Sequence, residues 1–239
     1  MKLSWVFAFV LPACAAYGDD DVTTYTATYR VEYKGKEAGT AEFGVRALPE
    51  GGLYEFSSRT TLKGLLKLAR PNPAVERSQF RVENGAVRPL EFWFEDGSRS
   101  GEDNLHIVFD WQRGIATVGT AEARREMAVP EGALDRGSLQ VALMRDLKAT
   151  GAPRTYSLAD EDSVASYEYG DNGTATIATG AGSLTTRIFT QQRAGSSRVT
   201  WLWVAPELAY LPVRIEQRRD GEVQTTFTLV SVTGLAPSP

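Results

Sequence analysis

The sequence has very few of the residues that most catalytic and metal sites depend on. Among 239 residues there is one cysteine and one histidine. One cysteine excludes an intrachain disulfide, and together the two residues are too few for a zinc site. No glycine-rich phosphate-binding loop opens a helix, and the acidic runs lack the alternating spacing of a calcium loop. We therefore expect no metal and no cofactor.

The lone histidine is a poor candidate for a catalytic base. A Ser-His-Asp arrangement would have to use His106, and Asp110 is the acid on the same strand face. Four residues of β-strand separate the two by roughly 13 Å, which is beyond hydrogen-bond reach. No Gly-x-Ser-x-Gly motif is present. We predict that His106 has no catalytic role and that the protein is not an enzyme.

The chain also lacks an excess of positive charge. It has 26 Lys and Arg against 30 Asp and Glu, a net charge of −4. A nucleic-acid-binding face is usually basic, so this balance disfavours DNA or RNA as a partner. After the N-terminal segment no long apolar run follows. Since a bilayer span needs roughly twenty apolar residues, we expect no transmembrane segment in the mature chain.

The first residues have the pattern of a secretory signal peptide. Lys2 supplies a positive start, Leu3–Leu11 is apolar, and small residues follow it. We predict that residues 1–16 are a signal peptide, that the acidic residues 17–21 are a linker, and that the protein is exported to a bacterial periplasm.

Cys14 leaves two alternatives for processing. Leu11-Pro12-Ala13-Cys14 resembles a lipoprotein cleavage box, in which Cys14 would become a lipid anchor. Ordinary cleavage after Ala15 or Ala16 would instead remove the cysteine. Because proline is unusual in a lipoprotein box, we favour ordinary cleavage.

Most of the chain alternates apolar and polar residues, as half-buried β-strands do. In Val22–Tyr33, for example, every second residue from Tyr25 is apolar. Hairpin signals separate many such segments, including Asn84-Gly85 and Asp220-Gly221, where both residues tolerate the positive φ of a tight turn. Asn172-Gly173 and Ala194-Gly195 are interpreted as turns in the same way.

One segment is predicted to be a helix. Asp135 is a suitable N-cap, and Arg136–Ala149 carries leucines four residues apart. Gly151, followed by a proline, ends it. About twelve short strands with one amphipathic helix predict a mainly β protein, because a meander this wide should curl to protect its edges.

We therefore expect a single curved antiparallel sheet that forms an open or closed barrel over residues 22–233, with the helix packed on or in it. Residues 234–239 are expected to be a disordered tail. A two-sheet sandwich is the alternative fold.

Leu62–Pro73 interrupts the strand pattern with four leucines among basic residues. The simpler interpretation is a plug that closes one end of the β-core. The alternative is a mobile lid or a membrane-touching loop, because leucines beside cations suit a membrane interface.

A curved sheet with aromatic walls can hold a lipid-like ligand. The alternative is that the same side chains simply fill the core. The candidate ligand-binding residues are Leu62, Leu65, Leu66, Leu68, Phe92, Phe94, Trp111, Leu143, Trp201, Trp203 and Tyr210.

Four stretches resemble an exported bacterial family known as domain of unknown function 3108. They are TATYRVEYKGKEAGTAEF, TLKGLLKLARPNPAVERSQF, DRGSLQVALMRDL and WLWVAPELAYLPVRIEQRRDG. The resemblance implies export and a β-rich fold but no activity. The layout is also similar to the periplasmic lipoprotein carriers, which are curved half-barrels with a helical lid; this likeness is one of fold and transfers no function.

Three functions follow from these expectations. The first is a non-enzymatic envelope protein that binds a lipid, an acyl chain or a lipoprotein segment in an apolar hollow, with Leu62–Leu68 and the helix Arg136–Ala149 gating it. The second is a structural or protein-interaction module with a solid core. The third, and least favoured, is a hydrolase of envelope glycans, which would need two carboxyl groups in one cleft.

Overall fold

The computed structural model describes residues 22–119 and 123–235. The predicted signal peptide, Cys14, the linker at 17–21 and most of the predicted tail lie outside these residues. Within the tail, Gly234 and Leu235 are described, and Leu235 packs against the hydrophobic core.

Within the described residues, fourteen strands form one sheet, accompanied by two α-helices and a 3-10 turn. Helix α1 spans Leu66–Ala69, helix α2 spans Arg136–Thr150, and the 3-10 turn spans Pro206–Leu208. The strands are β1 (Tyr25–Tyr33), β2 (Lys36–Ala47), β3 (Tyr54–Leu62), β4 (Ala74–Glu83), β5 (Ala86–Glu95), β6 (Leu105–Asp110), β7 (Ile115–Gly119), β8 (Arg124–Ala128), β9 (Tyr156–Ala159), β10 (Val164–Thr179), β11 (Gly182–Arg193), β12 (Arg198–Ala205), β13 (Leu211–Arg219) and β14 (Glu222–Thr233).

The strands are arranged in two antiparallel meanders, which are joined side by side where the first strand pairs with the last. The order across the sheet runs 8-7-6-5-4-3-2-1-14-13-12-11-10-9, and every neighbouring pair is antiparallel. Strands β1 and β14 therefore connect the two arms, while β8 and β9 are the edges. These edge strands are consecutive in the chain, and α2 is the connection between them. The sheet is curled but not closed, which confirms the predicted barrel in its open form.

Alternation of side chains gives the sheet one buried and one exposed face, as the sequence predicts. In β1, Tyr25, Ala27, Tyr29 and Val31 are all less than 5 % exposed. Register shifts in several strand pairs, such as that between Thr28 and Tyr29, mark β-bulges. Bulges increase local twist and so help a sheet of this width to curl.

Two predicted hairpins are confirmed, and one predicted turn is wrong. Asn84-Gly85 and Asp220-Gly221 join adjacent strands with positive φ at both residues, as a primed turn requires. Asn172-Gly173 does not reverse the chain. It lies within the 16-residue strand β10, where the pairing with β11 skips between Asp171 and Thr174. The two residues form a bulge, in which Gly173 alone has positive φ.

Helix α2 is confirmed with its predicted cap. The carboxylate of Asp135 accepts hydrogen bonds from the backbone of Gly137 and Ser138, and the Ser138 hydroxyl donates to the Asp135 carbonyl oxygen while accepting from its backbone N–H. Gly151, in the left-handed conformation, donates its N–H to Leu147 and ends the helix. The buried residues of α2 are Gly137, Ser138, Leu139, Val141, Ala142, Leu143, Met144 and Leu147. The helix therefore belongs to the main core rather than lying loosely over it.

The open seam of the sheet is bridged by the segment that leads into α2. Leu134 pairs with Leu158 of edge strand β9 in parallel fashion, because its N–H donates to Ser157 and its carbonyl accepts from Ala159. An exposed ion pair between Arg125 and Asp162 also spans the two edges at 2.9 Å. Strand β9 thus has a backbone partner on its free side, which protects one sheet edge.

Candidate functional site

A cleft of about 650 Å³ lies between α2 and the inner face of β9 to β13. Helix α2 packs against β3, β4, β5 and β9. It therefore covers one half of the curved sheet, and the other half faces it across the cleft. A space of this size is in the range of small-molecule and cofactor sites.

The floor of the cleft is apolar. Leu202 of β12 and Ile215 of β13 are directly paired across the two strands, and both are nearly buried. Leu139 and Leu143 of α2 line the opposite wall. These side chains have no hydrogen-bonding groups, so a hydrocarbon chain that covers the floor leaves no side-chain polar group there without a partner.

One step closer to the mouth, the wall becomes polar but uncharged. Antiparallel register aligns Tyr169 with Gln191, Gln191 with Thr200, and Thr200 with Gln217. All four residues line the cleft. The row offers hydroxyl and amide groups just above the apolar floor.

Arginines form the rim. Arg193 and Arg198 lie at the two ends of the β11–β12 hairpin and are exposed, and Arg136 begins α2 across the cleft. Burial, and after it Asp160, raises the pKa of Tyr167 above its usual value. The positive charges of all three arginines oppose this rise. Among the ion pairs of the described residues, none uses Arg193 or Arg198. Their charges are therefore available to an anion.

Arg136 differs because it is held by several groups. Its guanidinium lies 3.5 Å from Glu76 and 3.8 Å from Asp160, and it stacks on Phe94 with 4.6 Å to the ring centre. Burial raises the pKa of Glu76, and Arg136 opposes this effect, as does a hydrogen bond from Ser58. Arg136 thus holds two carboxylates of one cleft together.

The predicted ligand-binding residues are distributed over several regions. Leu143 lines the cleft. Phe92, Phe94 and Trp111 belong to a second apolar cluster formed mainly by β5, β6 and β7, and Tyr210 packs at the margin of the main core. The remaining six lie in the 62–73 insertion and on the outer face of β12, and membership of all eleven in a ligand site stays a prediction.

The four leucines of the 62–73 insertion are placed together at one end of the sheet. Leu62 ends β3, and Leu66 of α1 packs partly against the core. Leu65 and Leu68 are 84 % and 72 % exposed. The insertion thus does not form a plug through these last two side chains.

Trp201 and Trp203 lie on the outer face of the sheet. Register pairs them with Glu216 and Arg214, opposite in facing to Leu202. Arg218 stacks over Trp201 at 4.4 Å, and Arg214 stacks over Trp203 at 5.4 Å. Both guanidinium groups donate to Glu216. Burial opposes ionisation of that carboxyl, but the two arginines outweigh it and lower its pKa.

His106 has an acidic partner that its own strand could not supply. Its Nε2 lies 2.7 Å from Oε1 of Glu91 on neighbouring strand β5, and its ring stacks on Trp93 at 5.4 Å. The group is on the outer face, away from the cleft. Among the described residues, no set of three or more His, Cys, Asp and Glu side chains is placed to hold a metal ion.

The rim and middle rows were not predicted as site residues. The Ala194-Gly195 turn signal places Arg193 and Arg198 at a hairpin, but local sequence gives no sign that the hairpin faces α2. Glu76 and Gln191 look like ordinary solvent-facing strand residues. Pairing of β10 through β13 brings the rows together, and that pairing joins residues far apart in sequence.

Comparison with known proteins identifies a family and a fold. A family model described as "Protein of unknown function (DUF3108)" matches residues 28–228. No curated protein matches the sequence significantly. A β-barrel-like protein of domain of unknown function DUF1849 from Brucella abortus is similar in structure, with a TM-score of 0.53, 9 % identity, and coverage of 88 % of this chain and 97 % of that one.

Two further solved structures match more weakly. One is a candidate exported protein with a YmcC-like fold from Bacteroides fragilis, with a TM-score of 0.37, 12 % identity, and coverage of 87 % of this chain and 95 % of that one. The other is a chain of the Pseudomonas aeruginosa MucA/MucB complex, with a TM-score of 0.33, 12 % identity, and coverage of 90 % and 53 %. In the part of the chain that the structure describes, no helix has the length and apolar character needed to cross a membrane.

Proposed function

We propose that this chain, which belongs to the DUF3108 family of proteins of unknown function, is an exported, non-enzymatic envelope protein that binds an acyl chain carrying an anionic head group. The hydrocarbon lies on the floor of the cleft, and the head group lies between the arginines of the rim. This proposal narrows the lipid, acyl-chain or lipoprotein ligand expected from the sequence.

The observation that carries the proposal is the change in polarity along the cleft. Leucine and isoleucine line its deepest part, hydroxyl and amide groups follow, and Arg193 and Arg198 lie at the mouth. An anionic amphiphile has the same order of polarity along its length. Arginine is well suited to the rim, because its planar guanidinium can donate two parallel hydrogen bonds to a carboxylate or phosphate.

A titration with a fluorescent fatty acid, cis-parinaric acid, tests the rim. The double variant Arg193→Glu/Arg198→Glu should weaken binding by about tenfold or more, because attraction at the mouth becomes repulsion. The same double variant should bind a monoacylglycerol, an uncharged ligand with a similar hydrocarbon chain, nearly as well as the wild type does. Arg59→Glu/Arg81→Glu is the matched control, since both arginines are exposed and neither lines the cleft.

The floor is tested by filling the cleft. Thr200→Trp places a large ring between the rim and Leu202, at a position that is only half-buried. It should abolish binding of both ligands while the protein still unfolds cooperatively. Native mass spectrometry of the purified wild-type protein should also release an anionic lipid. If the wild type binds neither probe and carries no apolar ligand, the proposal is wrong.

One observation favours a glycan hydrolase as the second candidate. Glu76 and Asp160 both line the cleft, and the pKa of Glu76 is raised, as that of a general acid would be. Arg136 lies against both carboxylates, however, and this position stabilises their ionised forms rather than a proton on either. Hydrolysis of a peptidoglycan fragment that is lost in both Glu76→Gln and Asp160→Asn would favour the hydrolase.

The structural or interaction module remains the other alternative. Its best surface is the outer-face stack of Trp201 and Trp203, but their rings already contact the guanidinium groups of Arg218 and Arg214. A protein that co-purifies with the wild type and is lost from Trp201→Ala, with no ligand in the cleft, would favour this module over the carrier.

A further inference from the structure

The exposed apolar side chains of this protein are concentrated at one end of the sheet. Six large apolar side chains are exposed in the described part of the chain. Four of them share the end where β1 finishes, α1 follows β3, and β14 begins. These four are Tyr33, Leu65, Leu68 and Val223, and the two leucines are by far the most exposed.

That end is also where the cleft opens. Backbone hydrogen bonds connect neighbouring turns along it: Lys63 donates to Ala38, Lys34 to Gln224, and Asp220 to Ser197. The last of these residues lies in the β11–β12 hairpin that carries the rim arginines. The exposed leucines, the turns and the cleft mouth therefore belong to one continuous rim.

The loop that carries the leucines is basic and has no acidic residue. Residues 62–75 contain Lys63, Lys67 and Arg70 and neither Asp nor Glu. Lys63 pairs with Glu37, and Arg70 lies 3.5 Å from Asp96. Lys67 of α1 is exposed, lies between Leu65 and Leu68 in the sequence, and takes part in no ion pair among the described residues. Leucines that flank a free lysine match a bilayer surface with anionic lipids, where hydrocarbon and negative charge are adjacent.

We infer that this end of the protein docks on an anionic lipid bilayer, with Leu65 and Leu68 inserted below the head groups and Lys67 at head-group level. Tyr33 lies at the same rim, with Lys34 over its ring at 5.7 Å, and tyrosine is common at membrane interfaces. Docking here places the cleft mouth against the membrane, so an amphiphile can move between the two without crossing bulk water. The transfer of an amphiphile rests on the proposed function, whereas the vesicle experiment that tests docking does not depend on ligand binding in the cleft.

Flotation with lipid vesicles tests the docking. The wild type should float with vesicles of phosphatidylcholine mixed with phosphatidylglycerol, and less with vesicles of phosphatidylcholine alone. Leu65→Ser/Leu68→Ser should reduce binding to the mixed vesicles by about tenfold or more, since both side chains lose their apolar contact. Because both are exposed, the variant should unfold as the wild type does. Val108→Ser, which changes an exposed valine away from this end, should bind like the wild type.

Lys67→Glu separates the electrostatic part from the apolar part. It should weaken binding to the mixed vesicles and leave binding to pure phosphatidylcholine unchanged. If the wild type binds neither vesicle, or if the double leucine variant binds as well as the wild type, the inference is wrong. It is also wrong if sedimentation shows a wild-type dimer that the leucine variant converts to a monomer, because a second copy would then cover the leucines.

The two proposals fail in different ways. Loss of cis-parinaric acid binding in Thr200→Trp with normal flotation leaves docking intact, and normal flotation of a protein that binds no ligand refutes only the carrier function. Loss of flotation in the leucine variant with normal fatty-acid binding in vesicle-free buffer supports docking as a separate property.

Discussion

Asp135 links the stability of α2, and so of the cleft wall, to pH. Its side chain is fully buried at the start of the helix. One carboxylate oxygen accepts from the backbone of Gly137 and Ser138, both at 2.9 Å, and the other accepts from the Ser78 hydroxyl at 2.8 Å. Burial disfavours the charged form more than these hydrogen bonds favour it, so the pKa of Asp135 rises from 3.8 to about 6.

The sign of the effect follows from linkage. Between pH 4 and 6 the unfolded chain loses the proton of Asp135 while the folded protein keeps it, so the free energy of unfolding decreases as pH rises. Each pH unit between the two pKa values corresponds to about 1.4 kcal/mol, which gives about 3 kcal/mol in all. Above pH 6 both states are ionised, and this group adds no further slope.

Asp135→Asn isolates the contribution. Asparagine is also a good N-cap, its oxygen can accept from the same two amides, and its NH₂ can donate to Ser78. It does not titrate. The variant should therefore become more stable relative to the wild type by about 3 kcal/mol between pH 4 and pH 7. Other carboxyl groups with shifted pKa, such as Glu76 and Glu216, titrate in both proteins, so their contributions cancel in the difference.

Urea unfolding at a series of pH values, followed by tryptophan fluorescence, measures this difference. Equal m-values in the two proteins would show that the same surface is exposed on unfolding. A difference in unfolding free energy that does not change with pH would refute the buried-acid argument. A difference of the opposite sign would show that Asp135 is ionised in the folded protein at pH 4.

Three further predictions concern packing and charge. Gly137→Ala should destabilise the protein by about 1–3 kcal/mol, because the added Cβ would lie 2.7 Å from the Phe56 ring. At an exposed helix position the same substitution would stabilise the protein, since alanine is the better helix former. Gly180→Ala should cost a similar amount in thermal or urea unfolding, because its Cβ would lie 2.4 Å from the Val230 carbonyl oxygen where the β10–β11 hairpin meets β14. Glu216→Gln should cost about 2 kcal/mol at pH 7 by leaving two stacked arginines without a carboxylate, and the cost should shrink as pH falls through the lowered pKa, since the wild-type carboxyl then protonates.

Strand faces were predictable because they depend on a local pattern. Side chains alternate with period two, and a one-residue error would bury charge, so the two faces of β1 follow from the residues themselves. The helix was predictable for a similar reason, since Asp135 and Gly151 mark its ends chemically. The expected family was confirmed by the match over residues 28–228.

The turn at Asn172-Gly173 was mispredicted because its chemistry is ambiguous. A primed turn needs positive φ at both residues, as at Asn84-Gly85, whereas this bulge uses positive φ at Gly173 alone. Both structures favour the same dipeptide. What decides between them is that β11 continues to pair on either side, and that partner is a separate segment of chain.

The facing of Trp201 and Trp203 could be inferred only from the strand that pairs with them. Trp201–Val204 is apolar at every position, so its facing cannot be read from its own sequence. Its partner β13 does alternate, with Ile215 inward and Glu216 outward. Pairing Trp201 with Glu216 therefore assigns the tryptophan to the outer face, once the register is known.

The cleft exists because α2 packs mainly against one half of the curved sheet. Gly137 allows the helix to approach Phe56 and Ser78 closely, and the buried cap at Asp135 anchors the same turn to Ser78 of β4. These contacts hold α2 toward the β3–β5 side, and the segment before it pairs with edge strand β9 through Leu134. The inner face of β11 to β13 is then left uncovered, and its rows of side chains face the helix across open space. A larger residue at position 137 would move the helix away from β3 and toward that face, so the small size of one glycine helps to keep the cleft open.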